Sequence, residues 1–177
     1  MLDLNAYPSY ALFVPKQAVG ADLVYLDLFN ANNAEMDLYF TSFRVIVSGA
    51  VAVTGVVGVD LHLTRTTDVG TGGTAATNEG TNLTAATFTL LHGDDLIPGG
   101  VTARLTPTGG ATAGARLGHV SVFSEETNAG TYNQPVDFIH GVPFVKVKRG
   151  TGLRVVQGAI ASVGNIGFEA IFYAVKR

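Results

Sequence analysis

Residues 35–65 read EMDLYFTSFRVIVSGAVAVTGVVGVDLHLTR, and this stretch decides the class of fold. Apolar residues alternate with polar ones at its start, as in Met36, Leu38 and Phe40, and again towards its end, as in Leu61 and Leu63. A period of two places successive side chains on opposite faces of a β-strand. The stretch therefore predicts two long antiparallel strands, joined as a hairpin by a tight Gly-containing connection near residues 54–55.

Neither face of this predicted hairpin is convincingly exposed to solvent. Counted in steps of two, Phe43, Val45 and Val47 share the face of Tyr39, and the opposite face carries few polar residues besides Arg44. Apolar residues on both faces indicate burial on both sides. We therefore expect one face to pack in the protein's own core and the other to pack partly against a neighbouring subunit.

The rest of the chain continues the β pattern and contains no helical spacing sustained over three turns. Short apolar runs separated by Gly, Pro and Asn predict roughly eight to ten strands. Two Thr/Gly-rich loops interrupt them, TTDVGTGGTAATNEGTNLTAAT at residues 66–87 and PTGGATAGA at residues 107–115. The predicted fold is all-β, an antiparallel two-sheet sandwich of jelly-roll type, because loops this long favour it over an up-and-down barrel.

The predicted domain organisation is an N-terminal segment followed by one domain. Residues 1–19 are expected to form an arm or an edge strand, because Pro8 and Pro15 interrupt the run and proline is tolerated mainly at sheet edges. Residues 20–177 are expected to form a single β-sandwich domain. A chain of 177 residues is long enough for one substantial core and too short for two ordinary domains.

Composition limits the partners of the chain. Only 14% of its residues are charged, against about 25% in a typical soluble domain, so we expect part of the surface to be covered by other subunits. A membrane helix is not expected, because the apolar run Val45–Val59 has 15 residues, fewer than the roughly 18–20 that a spanning helix needs. A net charge of −3 gives no electrostatic basis for nucleic-acid binding.

The absence of cysteine excludes disulfides and thiolate metal sites. The N-terminal sequence MLDLNAYPSY has neither the basic start nor the long apolar run of a secretory signal. These features fit a protein made in the cytoplasm.

No catalytic, cofactor or metal site is predicted. The four histidines His62, His92, His119 and His140 fall in different strands or loops and include no H-x-H pair, so each is interpreted as a single hydrogen-bonded residue. No G-x-S-x-G or P-loop motif occurs.

The acidic pairs Asp94–Asp95 and Glu125–Glu126 are interpreted as solvated surface. Lys146, Lys148 and Arg149 form a small basic cluster, which is interpreted as a polar strand face rather than a nucleic-acid patch. The glycosylation sequon Asn82–Thr84 is interpreted as a chance match, because no secretory signal is present.

Several longer stretches resemble small β-structured virion proteins of tailed bacteriophages. The resemblance is carried by LFNANNAEMDLYFTSFRVIV (28–47), VTGVVGVDLHLTRTTDVGTGGTA (53–75), VTARLTPTGGATAGA (101–115), SVFSEET (121–127) and GLRVVQGAIASVGNIGFEAIFYAV (152–175). It implies a jelly-roll-like homotrimer that decorates the capsid surface as a cement protein, or that belongs to a head or tail fibre. The implied partners are other copies of the chain and the major capsid protein, and no catalysis or cofactor is implied.

Two functions of other classes remain as alternatives. A glycan-binding sandwich would present aromatic side chains in its loops, but residues 66–87 contain none and residues 125–134 contain only Tyr132. An enzyme of the cupin type would need clustered histidines with a carboxylate, and it would retain a transition metal through purification.

Overall fold

A computed structural model describes residues 6–48, 57–78, 85–92, 99–109, 111–124, 136–138, 145–160 and 164–176, and these form two β-sheets packed face to face. The predicted all-β, two-sheet sandwich is confirmed. The described residues form thirteen strands, more than predicted, because three of them (β5, β6 and β10) have only two residues each.

The first sheet runs in the order β10-β3-β13-β1-β7-β6, and β11 also pairs with β3. The second sheet runs in the order β5-β8-β2-β12-β4-β9. All pairings are antiparallel except that of β6 with β7. The strands of the first sheet are β1 (Ser9–Ala18), β3 (Met36–Ser48), β6 (Thr77–Asn78), β7 (Thr87–His92), β10 (Val136–Asp137), β11 (Val145–Val147) and β13 (Asn165–Lys176). The strands of the second are β2 (Val24–Asn30), β4 (Val57–Thr66), β5 (Thr74–Ala75), β8 (Val101–Leu105), β9 (Ala113–Ser124) and β12 (Thr151–Gln157).

The chain crosses repeatedly between the two sheets. Strands β1, β2, β3 and β4 alternate between them, and so do β9, β10 with β11, β12 and β13. The first series ends and the second begins in the second sheet, where β4 and β9 are neighbours. The segment between β4 and β9 carries β5–β8, of which β7 extends the first sheet beside β1 and β8 extends the second beside β2. This alternation is the connectivity of a jelly roll.

The predicted hairpin of residues 35–65 is wrong. Strand β3 pairs with β13, β10 and β11 in the first sheet, whereas β4 pairs with β12 and β9 in the second. The two strands therefore face each other across the core. Alternation indicates that each is a strand with a buried face, but it does not identify the pairing partner. The expected connection at residues 54–55 lies outside the described residues.

A bulge in β3 changes the predicted division of its faces. Ser42 pairs with Ile171 and Phe40 pairs with the next residue of β13, so Thr41 is an extra residue on the β3 side. A bulge of this kind shifts the alternation by one. As a result Phe43, predicted to lie opposite Phe40, shares its buried face, and both side chains are fully inaccessible to solvent.

Strand β2 contains a second bulge. Val155 of β12 pairs with Leu26, and Val156 pairs with Val24, so Tyr25 is the extra residue. Both Tyr25 and Leu26 are consequently fully buried although they are adjacent. The Tyr25 hydroxyl accepts a hydrogen bond from Gly20 N at 3.0 Å and donates one to Gln157 Oε1.

The expected arm or edge strand at residues 1–19 is also corrected. Strand β1 lies inside the first sheet, between β13 and β7. Pro15 is tolerated there because it falls at a bulge, where the register with β13 shifts between Val14 and Gln17, and because β7 pairs only with Ser9–Phe13. Residues 1–5 lie outside the described part of the chain.

Aromatic rings from the first sheet fill the centre of the core. Phe40 packs on Phe172 with ring centroids 4.9 Å apart, and Phe43 meets Phe138 edge to face at 5.5 Å. Such pairs add to the stabilisation that burial alone provides. The core occupies the space between the sheets, so functional groups must lie on the two outer faces or at the sandwich ends.

Candidate functional site

A polar cluster lies on the outer face of the second sheet. Leu61 of β4 and Val120 of β9 point into the core. The alternation of each strand therefore directs Asp60, His62 and His119 outward. We call these three residues the Asp60 cluster.

The register of β4 and β9 brings the cluster together. His62 pairs directly with His119, and Asp60 pairs directly with Ser121. Directly opposed residues of antiparallel strands have their Cβ atoms about 4.5–5.5 Å apart. The two imidazole rings accordingly stack, with centroids 4.9 Å apart and planes inclined by 19°.

The carboxylate of Asp60 connects the two histidines. Its Oδ1 atom contacts His119 Nε2 and accepts a hydrogen bond from Ser121 Oγ at 3.2 Å. Its Oδ2 atom lies 3.3 Å from His62 Nε2. The hydrogen bond from His119 lowers the pKa of Asp60 below its ordinary value. Burial, followed by the nearby Arg116 charge, lowers the pKa of His62. These shifts favour an anionic Asp60 beside a neutral His62 at neutral pH.

The sequence analysis treated His62 and His119 as isolated residues, whereas the fold places them together with Asp60. One ligand atom from each member of the Asp60 cluster lies within 4.8 Å of the others. Asp60 and His62 are two residues apart on one strand, so their shared face was readable from the sequence. The position of His119 beside them depends on the pairing of β9 with β4, which no local sequence pattern predicts.

A second charged site, on the same sheet, is closed to solvent. Arg154 Nη2 of β12 donates a hydrogen bond to Asp27 Oδ2 of β2 at 3.1 Å, and the two side chains are only 8% and 1% exposed. Gly70 lies against this pair, where a side chain would collide with Asp27 Oδ2. Burial raises the pKa of Asp27, and Arg154 acts against that rise. The charges of Asp27 and Arg154 therefore meet each other inside the protein, and we interpret the pair as part of the fold.

The predicted basic cluster does not form one patch. Lys146 Nζ lies 2.8 Å from the buried carboxylate of Asp37 and 5.0 Å from the ring centroid of Tyr39. Lys148 and Arg149 are exposed in the turn that follows β11. Of the three basic residues, Lys146 therefore makes its contacts within the protein.

The other sequence candidates are placed as follows. His92 is exposed at the end of β7, away from the Asp60 cluster in the other sheet. The Gly70–Gly73 run packs against the turn at residues 107–109, with Thr71 bridged to Gly109. His140, Asp94–Asp95, Glu125–Glu126 and Asn82–Thr84 lie outside the described residues.

The outer face of the first sheet carries apolar and aromatic side chains beside charged ones, since Glu169 lies directly between Phe13 and Arg44. Phe13 is 43% exposed and Leu91 is 50% exposed. Tyr39, Ile171 and Tyr173 are half-buried on adjoining strands. Direct pairing places Tyr39 opposite Tyr173, and Tyr173 opposite Ser9. We call the five residues Phe13, Tyr39, Leu91, Ile171 and Tyr173 the first-sheet outer face.

The part of the chain that the structure describes has no helix long and apolar enough to cross a membrane. The sequence matches no protein-family profile, no curated protein and no solved structure at a significant level.

Proposed function

We propose that the protein is a structural virion protein that decorates the capsid of a tailed bacteriophage, held there by contacts between its own copies and with the major capsid protein. The resemblance of the stretches between residues 28 and 175 to such proteins supports the virion role. The observation that carries assembly is the apolar first-sheet outer face. The proposed role involves no catalysis.

An outer sheet face of this composition is costly to leave in water. Antiparallel sandwiches ordinarily place polar residues on their solvent side. Phe13 and Leu91 instead expose about half of their surface on neighbouring strands β1 and β7. Large apolar side chains exposed on one sheet face are a feature of interaction sites. A neighbouring subunit that covers this face gains about 25 cal/mol for each Å² of apolar surface removed from water.

The proposed mechanism is mechanical. A stable interface buries roughly 1,600 Å² in total, and repetition of such contacts over a shell multiplies their effect by avidity. The two sheets of the jelly roll provide a stiff unit, because each long strand of the first sheet is paired along most of its length. A homotrimer is the expected assembly, and its contacts with major capsid subunits would resist outward pressure from packaged DNA.

The assembly state tests the proposal. Light scattering at micromolar concentration should show an oligomer, with the mass of a trimer. Phe13→Asp should dissociate it, because the new charge lies within the first-sheet outer face. Ile160→Asp is the matched control, since Ile160 is 72% exposed in the connection between β12 and β13, outside that face.

Co-sedimentation with purified capsids tests the finer assignment. A decoration protein should pellet with capsids that lack it, whereas a fibre protein should not. A well-behaved monomer that also fails to bind capsids would contradict the proposed function.

A further inference from the structure

We propose that Asp60, His62 and His119 bind one divalent transition-metal ion on the outer face of the second sheet, with Zn²⁺ as the ion for testing. This site is separate from the first-sheet outer face on which the proposed assembly depends. It assigns a ligand to three residues that the structural role does not use.

The donor set fits an ion of this class. Two imidazole nitrogens and one carboxylate oxygen are ligands that Zn²⁺ and similar ions accept, and three protein ligands with an open position are common around zinc. Ligands about 2.0–2.2 Å from one ion lie roughly 3–4 Å from each other. His62 Nε2 and Asp60 Oδ2 are 3.3 Å apart, and ligand atoms of all three residues lie within 4.8 Å of one another.

The backbone holds these ligands in place before any ion binds. Pairing with β9 fixes Asp60 and His62 on one side. On the other side His62 pairs with Val156 of β12, and the backbone oxygen of Asp60 accepts a hydrogen bond from Gly158 N at 2.8 Å. Gly158 leaves the adjoining space free of a side chain, since a Cβ there would lie 3.4 Å from Asp60 Oδ2 and 3.7 Å from His62 Nε2. Binding therefore requires only side-chain adjustment.

One feature of His62 limits the affinity. Its Nδ1 atom is buried and has no hydrogen-bond partner among the described residues. An ion on Nε2 places the ring proton on Nδ1, and a ligating histidine is ordinarily oriented by a partner for that proton. We therefore expect micromolar rather than nanomolar binding of Zn²⁺.

The position of the site indicates what the ion does. Strand β9 lies at one edge of the second sheet, and β4 is its neighbour. An ion shared by His119 and the two β4 ligands would link this edge strand to the sheet interior. The cluster is open, with Asp60 and His119 side chains 41% and 46% exposed, so it does not enclose a substrate as a catalytic site does.

Calorimetry with Zn²⁺ on chelator-treated protein tests the site. We expect one ion per chain and an upward shift of the unfolding midpoint with increasing Zn²⁺, because a ligand specific to the folded state stabilises it. His62→Gln and His119→Gln should each weaken binding by more than the roughly 10- to 100-fold that loss of an outer partner costs. His92→Gln, which removes an exposed histidine of the other sheet, should leave binding unchanged.

Wild-type NMR provides a measurement that does not depend on the variants folding. Zn²⁺ should shift the ring signals of His62 and His119 and leave those of His92 in place. Absence of stoichiometric Zn²⁺ binding at micromolar to submillimolar concentration would overturn the proposal. Unchanged binding in His119→Gln, or a shift confined to histidines outside the cluster, would also overturn it.

Discussion

The second sheet carries two charged sites that differ in how far their side chains are exposed to solvent. The Asp27–Arg154 pair lies beneath Gly70, with side chains 1% and 8% exposed. The Asp60 cluster lies towards the β9 edge, with its aspartate 41% exposed. One aspartate therefore has a raised pKa because of burial, and the other has a lowered pKa because of its histidine hydrogen bond.

The difference between these two sites shows that solvent exposure, rather than residue type, decides the role of a charged group. A buried charge must be paired within the protein, and its pair then contributes mainly by avoiding the penalty of an unpaired charge. An open carboxylate remains solvated, and its interactions with neighbours are weak in stability terms but available to a ligand. The closed pair therefore belongs to the fold, whereas the open cluster is the one for which we propose a bound ion.

The largest expected effect follows from breaking the closed pair. Arg154→Met leaves the Asp27 carboxylate buried without its cation and should lower the free energy of unfolding by about 3–5 kcal/mol. Urea denaturation followed by circular dichroism measures this. The double variant Asp27→Leu with Arg154→Met should recover most of the loss, because it removes both charges. A double variant as unstable as the single one would contradict this account.

A smaller loss of stability should follow from a substitution at Gly70, which lies over the Asp27–Arg154 pair. Gly70→Ala introduces a methyl group against Asp27 Oδ2 and near Pro107, and should destabilise the protein by about 1–3 kcal/mol. Gly99→Ala is the matched control, because a side chain there would meet nothing within 4 Å. Thermal unfolding of the two variants measures the difference, and equal midpoints would show that Gly70 does not close the site.

The open cluster should respond least. Asp60→Asn removes the carboxylate that joins two partly exposed histidines, and exposed pairs contribute up to about 1 kcal/mol. Urea denaturation in the presence of a chelator should therefore show a loss below that value. A loss as large as that of Arg154→Met would mean that the Asp60 cluster is a stability element rather than an open site.

The pKa values of the two aspartates should also lie on opposite sides of the ordinary value of 3.8, that of Asp27 above it and that of Asp60 below it. Because the pKa of Asp60 is lowered by folding, its contribution to stability is present above the unfolded pKa and declines as pH falls through the folded pKa. The raised pKa of Asp27 has the reverse sign, with a contribution present below the unfolded pKa and lost as pH rises through the folded pKa. Carboxyl-carbon NMR titration of metal-free protein measures both, and a common direction of shift would contradict the comparison.

Predictability from the sequence differed between fold class and site. The strands β3, β4, β9 and β13 were each predicted from alternation or apolar runs, because a half-buried strand must alternate. The cluster was not predicted, because His119 joins His62 only through the β4–β9 register. The edge assignment of residues 1–19 was wrong, because a bulge accommodates Pro15 inside a sheet.

Local chemistry by itself determined that this chain is a β-sandwich with Thr/Gly-rich loops and little surface charge. Only the tertiary structure decided that β3 and β4 belong to different sheets, that the Thr41 bulge turns Phe43 towards Phe40, and that Asp60, His62 and His119 meet. The physical reason is that alternation is a property of neighbouring residues along one strand. Pairing partners and registers depend on contacts between segments far apart in the chain, and one extra residue exchanges the two faces.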